Sequence, residues 1–197
     1  MGRKKSYDRE ELIAKAVELF RDNGYASTST QMLVESLGVN RNSLYSEFGS
    51  KQALFDAAIE RYDGTVLDRN FGPLEVSGAG LHEIRALLRF FAEAGTGVAS
   101  GRGCLLCNTA VEFGPQDPSG AEFVQRYFHR ISSAFINALS NAKESGDLAA
   151  GIDPRSEANL FTAGVLGIFV MIRAQAEPEL IRGSCRIYEE RLEAVSQ

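Results

Sequence analysis

The chain has 197 residues, 44% of them hydrophobic, so it is long enough to bury a core and too apolar to be disordered. Its formal net charge of −5 argues mildly against a nucleic-acid-binding protein, although phosphate contacts need only a local basic patch. Three cysteines, an odd number, argue against a disulfide framework, and no apolar stretch typical of a secretory signal follows the basic start, so we expect a cytoplasmic protein.

Helix-forming residues dominate the sequence and no long run alternates with a period of two, so we predict an all-α fold. The basic segment Arg3–Lys5 forms a short arm before the first predicted helix. Asp8 is suited to cap that helix, and Gly24 to end it in a left-handed conformation. The apolar face of this helix would pack behind the next two.

Two short helices joined by a tight turn are predicted between Thr28 and Phe48. Thr28 can cap the first of them, and Gln31, three residues later, can complete a capping box. Gly38 lies where the chain must turn, because glycine adopts positive φ at no steric cost. Asn40 is a favourable N-cap for the second helix. This pattern indicates a helix-turn-helix.

The second of these helices has a polar outer face. Leu44 and Phe48 lie four residues apart and share the face that docks on the first helix. The outward residues carry hydrogen-bonding groups of the kind that read base edges in a major groove. They are Arg41, Asn42, Ser43, Tyr45 and Ser46. Ser50 can cap a further helix, whose N-terminus would direct Lys51 at a phosphate. The alternative is a polar face that is only solvated.

The run from Leu44 to Leu54 matches the Leu-Tyr-x-x-Phe-x-x-Lys-x-x-Leu signature of the TetR family of bacterial regulators, and Gly38-Val39 matches the family's Gly-Val turn. Residues 8–64 therefore resemble the DNA-binding domain of that family. The resemblance implies base contacts from Gln31, Arg41 and Asn42. It implies phosphate contacts from Thr30, Ser43, Tyr45 and Lys51, with Asn40 suited to either role.

Two residues depart from the family pattern. Val34 stands where the family usually has alanine, so we expect looser or shifted packing between the reading helices. Glu47 places a negative charge near the expected DNA side. Residues 1–64 carry nine Lys and Arg against ten Asp and Glu, so we expect few phosphate contacts and modest non-specific affinity.

The fourth predicted helix begins near Ser50 and links the DNA-binding domain to the rest of the chain. The segment from Gly64 to Gly80 is rich in glycine and contains Pro73, so we predict a loop there, with the domain boundary inside it. We therefore expect a three-helix helix-turn-helix domain with its linking helix in residues 1–64. Residues 65–197 would form a larger helical domain for dimerisation and ligand binding.

Further helices are predicted at about residues 81–100, 104–113, 119–145, 154–176 and 179–194. The fourth of these contains Leu160 to Ile172, about thirteen residues that are apolar on every face and too short to span a bilayer. Such a helix must be covered on every face, so we predict a homodimer with a four-helix interface. The predicted interface residues are Leu160, Gly164, Gly167, Ile168 and Met171. The alternative is a central helix enclosed within a monomer.

The family resemblance implies an effector pocket between the long helices of the larger domain. The candidates for its lining are Phe90, Phe91, Cys104, Leu105, Asn108, Phe128, Phe135 and Phe161. An apolar wall with few polar anchors suits a small apolar or aromatic effector. The alternative is that these phenylalanines are ordinary core residues.

Cys104 and Cys107 lie one turn apart at a predicted helix start, where the helix dipole favours a reactive thiol. A redox or electrophile sensor is one hypothesis for this pair, and two small buried hydrophobes are the other. Zinc would need two more ligands, and His82 and His129 have no ligand spacing with the pair. We expect no metal and no cofactor, and we find no catalytic motif.

The sequence favours a dimeric repressor, not an enzyme, that binds a near-palindromic operator in double-stranded DNA and is released by a small-molecule effector. The fourth helix is the expected lever between the two domains. An activator, or a regulator without a small ligand, fits the same sequence. A third hypothesis is an all-α enzyme or binding protein that has lost DNA binding, supported only by Glu47 and the near-neutral DNA-binding domain.

Overall fold

The computed structural model describes residues 7–95, 97, 101–113 and 118–197, with side chains described from residue 122 in the last range. The basic arm Arg3–Lys5 lies outside the described residues. The predicted all-α fold is confirmed. The helices are α1 (Arg9–Asn23), α2 (Thr30–Leu37), α3 (Arg41–Phe48), α4 (Lys51–Tyr62), a π-helical turn (Asp63–Leu67), α5 (Asp68–Glu75), α6 (Leu81–Ala94), α7 (Leu105–Glu112), α8 (Pro118–Ser145), α9 (Pro154–Arg173) and α10 (Pro178–Val195).

Helices α1 to α4 form the head of the molecule around a core that includes Phe20, Leu33 and Leu54, all completely buried. The N-cap of α2 is Ser29, whose hydroxyl accepts from Met32 N, and not Thr28 as predicted. Thr28 is buried instead, and its hydroxyl donates to Gly24 O at 2.6 Å. The predicted cap was therefore one residue early, because Thr28 closes the loop between α1 and α2.

The linking segment is helical where a loop was predicted. Helix α4 continues through the π-helical turn into α5, so Pro73 lies inside a helix. Arg130 of α8 donates to the carboxylates of Asp63, Asp68 and Glu75 at 2.8, 2.5 and 2.7 Å. These ion pairs hold the turn and α5 against α8. Tertiary contacts therefore outweigh the local helix-breaking signals in this segment.

Helices α6 to α10 form the body of the molecule. Helix α9 has 20 residues, longer than the apolar run Leu160 to Ile172 within it, and by length and composition alone it could cross a membrane. Its buried face includes Phe161 and Val165, and Glu157 in its first turn pairs with Arg191 of α10. These contacts make α9 a core helix of the body.

One apolar face of α9 and α10 is left uncovered by the described residues of the chain. Leu160 and Val170 on α9 are 41% and 48% exposed, and Leu180 and Ile187 on α10 are 56% and 62% exposed. Gly167 is exposed on the same face of α9, where a stripe of residues repeats at three- and four-residue intervals. We call this surface the α9–α10 face.

Two of the five predicted interface residues lie inside the monomer instead. Ile168 is completely buried, and a Cβ atom added to Gly164 would lie 2.2 Å from Tyr188 Cζ of α10. Met171 is half-buried. Gly164 and Ile168 lie on the same side of α9 as Leu160 and Gly167, because residues three and four apart share a helix face, but the ring of Tyr188 of α10 covers Gly164 within the monomer.

Candidate DNA-reading surface and ligand cavity

The turn between α2 and α3 is formed as the sequence predicts. Gly38 has φ +69° and ψ 28°, which is the left-handed conformation. Asn40 Oδ1 accepts from Ser43 N at 2.8 Å, and Ser50 Oγ accepts from Ala53 N at 3.0 Å, so both predicted N-caps are confirmed. Leu44 and Phe48 are buried beneath α3. The opposite face of α3 is therefore free to present its polar residues.

The eight residues that the family resemblance assigns to DNA lie on α2, on α3 with its N-cap, and at the start of α4. The exposed ones are Gln31, Asn40, Arg41 and Asn42. The half-buried ones are Thr30, Ser43, Tyr45 and Lys51. We call the surface formed by these eight residues the reading surface. All of them retain access to solvent, as contact with DNA requires.

Tyr45 joins the two reading helices. Its hydroxyl shares a hydrogen bond with Thr30 Oγ1 at 3.0 Å, and the Arg41 guanidinium lies 5.7 Å from its ring centroid. The second contact is a cation–π interaction, which restricts the arginine before it meets a base. Restricting a long side chain in advance reduces the entropy lost on binding.

Lys51 is held by the head and the body together. Its ammonium lies 4.2 Å from the ring centroid of Tyr25, and burial lowers its pKa while the charge of Glu112 opposes that shift. Glu112, at the end of α7, accepts from the backbone amides of Tyr25 at 2.8 Å and Ala26 at 2.5 Å. The body therefore contacts the head beside a residue of the reading surface.

Glu47 does not present a charge to the DNA side, and this expectation was wrong. Its side chain is only 8% exposed and lies 3.7 Å from Arg9 Nε of α1. The Tyr7 hydroxyl donates to its other carboxylate oxygen at 3.2 Å. Glu47 therefore ties α3 to α1, and its charge is offset within the head.

We expect Arg41→Ala and Lys51→Ala to weaken DNA binding in different ways. Loss of Arg41 removes a forked donor and should relax base preference by about 1–3 kcal/mol at one position. Loss of Lys51 should weaken all sequences alike and reduce the salt slope by about one unit. Affinity for single-base operator variants, measured at several salt concentrations, separates the two. An equal change in base preference in both variants would contradict this assignment.

A cavity lies at the junction of the head, the linking segment and the body. Its inner chamber has a volume of about 130 Å³ and is walled by Phe91, Phe169 and Ile172. An outer groove of about 390 Å³ runs between α5 and α6. Arg69, Asn70 and Phe90 line both, so the groove and the chamber lie next to each other.

Three of the eight predicted pocket residues line this cavity, namely Phe90, Phe91 and Cys104. The other five do not line it. Phe135 and Phe161 are completely buried and stack on each other with ring centroids 5.7 Å apart. Leu105 is buried in α7, and half-buried Phe128 packs on Tyr127. Asn108 faces a different groove, between α1, α7 and α9.

The chamber also contains residues that the sequence reasoning missed. Tyr62 and Val66 come from the linking segment, and Arg21 comes from α1 of the head. The sequence contains no local signal for them, because they meet only when the head packs against the body. In particular, the periodicity of α1 predicts a polar, solvated position for Arg21.

The three cysteines are buried free thiols. Cys104 is the N-cap residue of α7 and accepts a hydrogen bond from the Tyr127 hydroxyl at 3.5 Å. Burial raises the pKa of Cys107 to about 12 and that of Cys185 to about 11. Both thiols are therefore protonated at neutral pH and are weak nucleophiles.

The fold and the reading surface define a helix-turn-helix DNA-binding protein. A family model described as bacterial regulatory proteins of the tetR family matches residues 12–58. A second model, described as the tetracyclin repressor-like C-terminal domain, matches residues 80–188, which is more than half of the chain. The chain therefore belongs to the TetR family of bacterial transcriptional regulators, as the signature in α3 and α4 indicated.

The names of two relatives in sequence indicate the same class. The chain is 33% identical over 152 residues to the uncharacterized HTH-type transcriptional regulator YezE of Bacillus subtilis (strain 168), covering 75% of this chain and 76% of YezE. It is 25% identical over 181 residues to the HTH-type transcriptional repressor ComR of Escherichia coli (strain K12), covering 90% of this chain and 85% of ComR.

Solved structures show the same fold along nearly the whole chain. The TetR-family regulator CifR, in a cysteine mutant complexed with 26-bp operator DNA, has a TM-score of 0.84 at 24% identity, covering 98% of this chain and 99% of CifR. Reduced NemR of E. coli has a TM-score of 0.78 at 20% identity, covering 96% of each chain. These similarities extend the family assignment to the arrangement of the helices.

Proposed function

We propose that this regulator is a dimeric, cytoplasmic repressor that binds a near-palindromic operator and leaves it when a small molecule occupies the cavity. The observation that carries the proposal is the pairing of an exposed reading surface with an uncovered apolar face on the same chain. Its relative ComR is named a transcriptional repressor. The proposal is of a regulator and not of an enzyme.

The α9–α10 face supports the dimer. It combines exposed aliphatic side chains of both helices, and exposed apolar surface of this kind suits an interaction site. The same face on a second copy would pair two helices with two helices around a twofold axis, which is the commonest symmetry of homo-oligomers. Two heads related by that axis suit an operator with two related half-sites.

The position of the cavity supports control by a ligand. Its chamber is built from α1 of the head, the linking segment and helices of the body. A molecule bound there contacts both parts that must keep a fixed orientation for two heads to reach DNA together. If it binds the unproductive orientation better, ligand and operator oppose each other reciprocally.

Selection of bound duplexes from a random DNA pool tests the function. We expect an inverted repeat to be enriched, and the affinity of the full-length protein for it to fall steeply with salt. Enrichment of a single half-site would contradict the dimeric arrangement. Failure to enrich any sequence, also after refolding from denaturant to remove a co-purified ligand, would favour the alternative of a binding protein or enzyme without DNA binding.

Thiol sensing through Cys104 and Cys107 is a second candidate, favoured by one observation. Cys104 lines the chamber, so a reactive molecule small enough to enter would reach its sulfur. The high pKa of Cys107 disfavours that residue as the attacking thiolate. Oxidant-induced release of the operator that is lost in Cys104→Ser, and kept in Cys107→Ser, would support this candidate.

A further inference from the structure

Most residues that line the inner chamber are apolar, but its lining carries a positive charge. Two of the residues that line it, Arg21 and Arg69, carry a guanidinium group. No acidic residue is among those that line it in the part of the chain that the structure describes. An apolar site that contains unneutralised cations attracts an anion, because the low local dielectric strengthens the interaction.

Arg21 is the guanidinium best placed to hold that anion. It is half-buried, whereas Arg69 is exposed. Its Nε donates to Gly103 O at 2.9 Å, and its Cζ lies 5.9 Å from the ring centroid of Tyr62. The neighbouring carboxylates on α1 are engaged elsewhere, since Glu18 and Asp22 both bind Arg102 at 2.6 Å.

The two terminal nitrogens of Arg21 are therefore the donors available to a ligand. Among the described residues, no carboxylate forms an ion pair with them. A carboxylate accepts two parallel hydrogen bonds from an arginine, and a carboxylate buried without such a partner is strongly disfavoured. A ligand with this group would gain both affinity and orientation at Arg21.

The volume of the chamber limits the rest of the ligand. A cavity of about 150 Å³ lined by apolar side chains holds one benzene molecule. The chamber, at about 130 Å³, is close to that size, and the aromatic rings of Phe91 and Phe169 form part of its wall. A larger substituent would have to displace Phe90, which lines both the chamber and the outer groove.

We propose that the effector is a small apolar carboxylate, such as an arylalkanoate, whose carboxylate pairs with Arg21 of the head while its apolar part fills the chamber of the body. This inference rests on the proposed function and names the ligand class of the same cavity. Its geometric basis is the presence of a head residue with free donors in an apolar chamber.

The pairing also explains how the ligand acts on the head. Arg21 holds Gly103 of the body through the same guanidinium that would bind the carboxylate. Arg173 of α9 donates to the carbonyls of Arg21 and Asp22, at 3.1 and 3.0 Å, so this end of α1 is fixed to the body at several points. A ligand that draws Arg21 inward competes with one of these contacts and shifts α1 against the body.

Matched pairs of acids and amides test the charge preference. Phenylacetate and benzoate are compared with phenylacetamide and benzamide at pH 7 by calorimetric titration into the full-length protein. We expect each acid to bind roughly 10- to 100-fold more tightly than its amide, because a hydrogen bond to a charged group replaces one to a neutral group. Equal binding of acid and amide, or no binding of either acid, would overturn the proposal.

Substitutions then assign the preference to a residue. Arg21→Gln should reduce the affinity for the acids by about 10- to 100-fold and leave that for the amides nearly unchanged, and Arg21→Lys should restore part of the preference. Arg155→Gln, on an exposed turn of α9, controls for the loss of one positive charge. Loss of the preference in Arg69→Gln, with Arg21→Gln unaffected, would overturn the assignment to Arg21. A circular dichroism melt of each variant shows whether it is folded.

The operator separates failure of this inference from failure of the proposed function. If the amides bind and release the operator as well as the acids do, the cavity is still the effector site but the carboxylate proposal is wrong. If the acids bind in the cavity and the protein binds no operator, the ligand class stands and the repressor proposal fails.

Discussion

Phe135→Ala is expected to lower the free energy of unfolding by about 3–5 kcal/mol, because it removes a completely buried ring and leaves a void between α8 and its neighbours. The ring packs edge-on against Phe71 of α5 and stacks on Phe161 of α9. The substitution therefore affects the contacts that join the linking segment to the body. Denaturant unfolding followed by circular dichroism measures the loss.

Phe90→Ala is the matched control for Phe135→Ala. Phe90 is 42% exposed and lines both the chamber and the groove, so its truncation should cost less than about 1.5 kcal/mol of stability. It should instead change the affinity for a cavity ligand. A large stability loss in Phe90→Ala with a small one in Phe135→Ala would contradict the division into cavity wall and core.

Gly167→Arg is expected to convert the protein into a folded monomer and to reduce operator affinity by roughly 100-fold or more. A Cβ atom at Gly167 meets nothing within 4 Å in the monomer, so the arginine fits each separate chain. In the proposed dimer it would place a charge in the centre of an apolar interface. A monomer binds only one half-site of the operator, and the loss of the second, linked binding event accounts for the size of the affinity change.

Gly164→Ala supplies the contrast for that experiment, because Gly164 is already covered by α10 within the monomer, whereas Gly167 is exposed. Its Cβ would lie 2.2 Å from Tyr188 Cζ, so the Tyr188 ring must move away and its packing between α9 and α10 is disturbed, at a cost of about 1–3 kcal/mol. Light scattering, thermal unfolding and operator titration of both variants distinguish the two effects. A dimer of unchanged stability and affinity in Gly167→Arg would rule out the α9–α10 face as the interface.

The sequence by itself determined the helix-turn-helix and the all-α class. The signals there are local: Asn40 and Ser50 satisfy amides within three residues of themselves, and Gly38 adopts a conformation that other residues avoid. Leu44 and Phe48 identify the buried side of α3 through their spacing alone. The reading surface could be predicted because one short segment contains nearly all of it.

Only the tertiary structure decided which residues far apart in the chain come into contact. The ion pairs of Arg130 hold a segment that contains Gly72 and Pro73 in a helical conformation. Contacts with Arg9 and Tyr7 hold the Glu47 side chain away from the DNA side. The cavity combines Arg21 with residues more than 40 positions away, while buried Phe135, the same residue type as Phe90, belongs to the core. Periodicity identifies the apolar face of a helix, but which neighbour covers that face depends on packing between helices far apart in the chain.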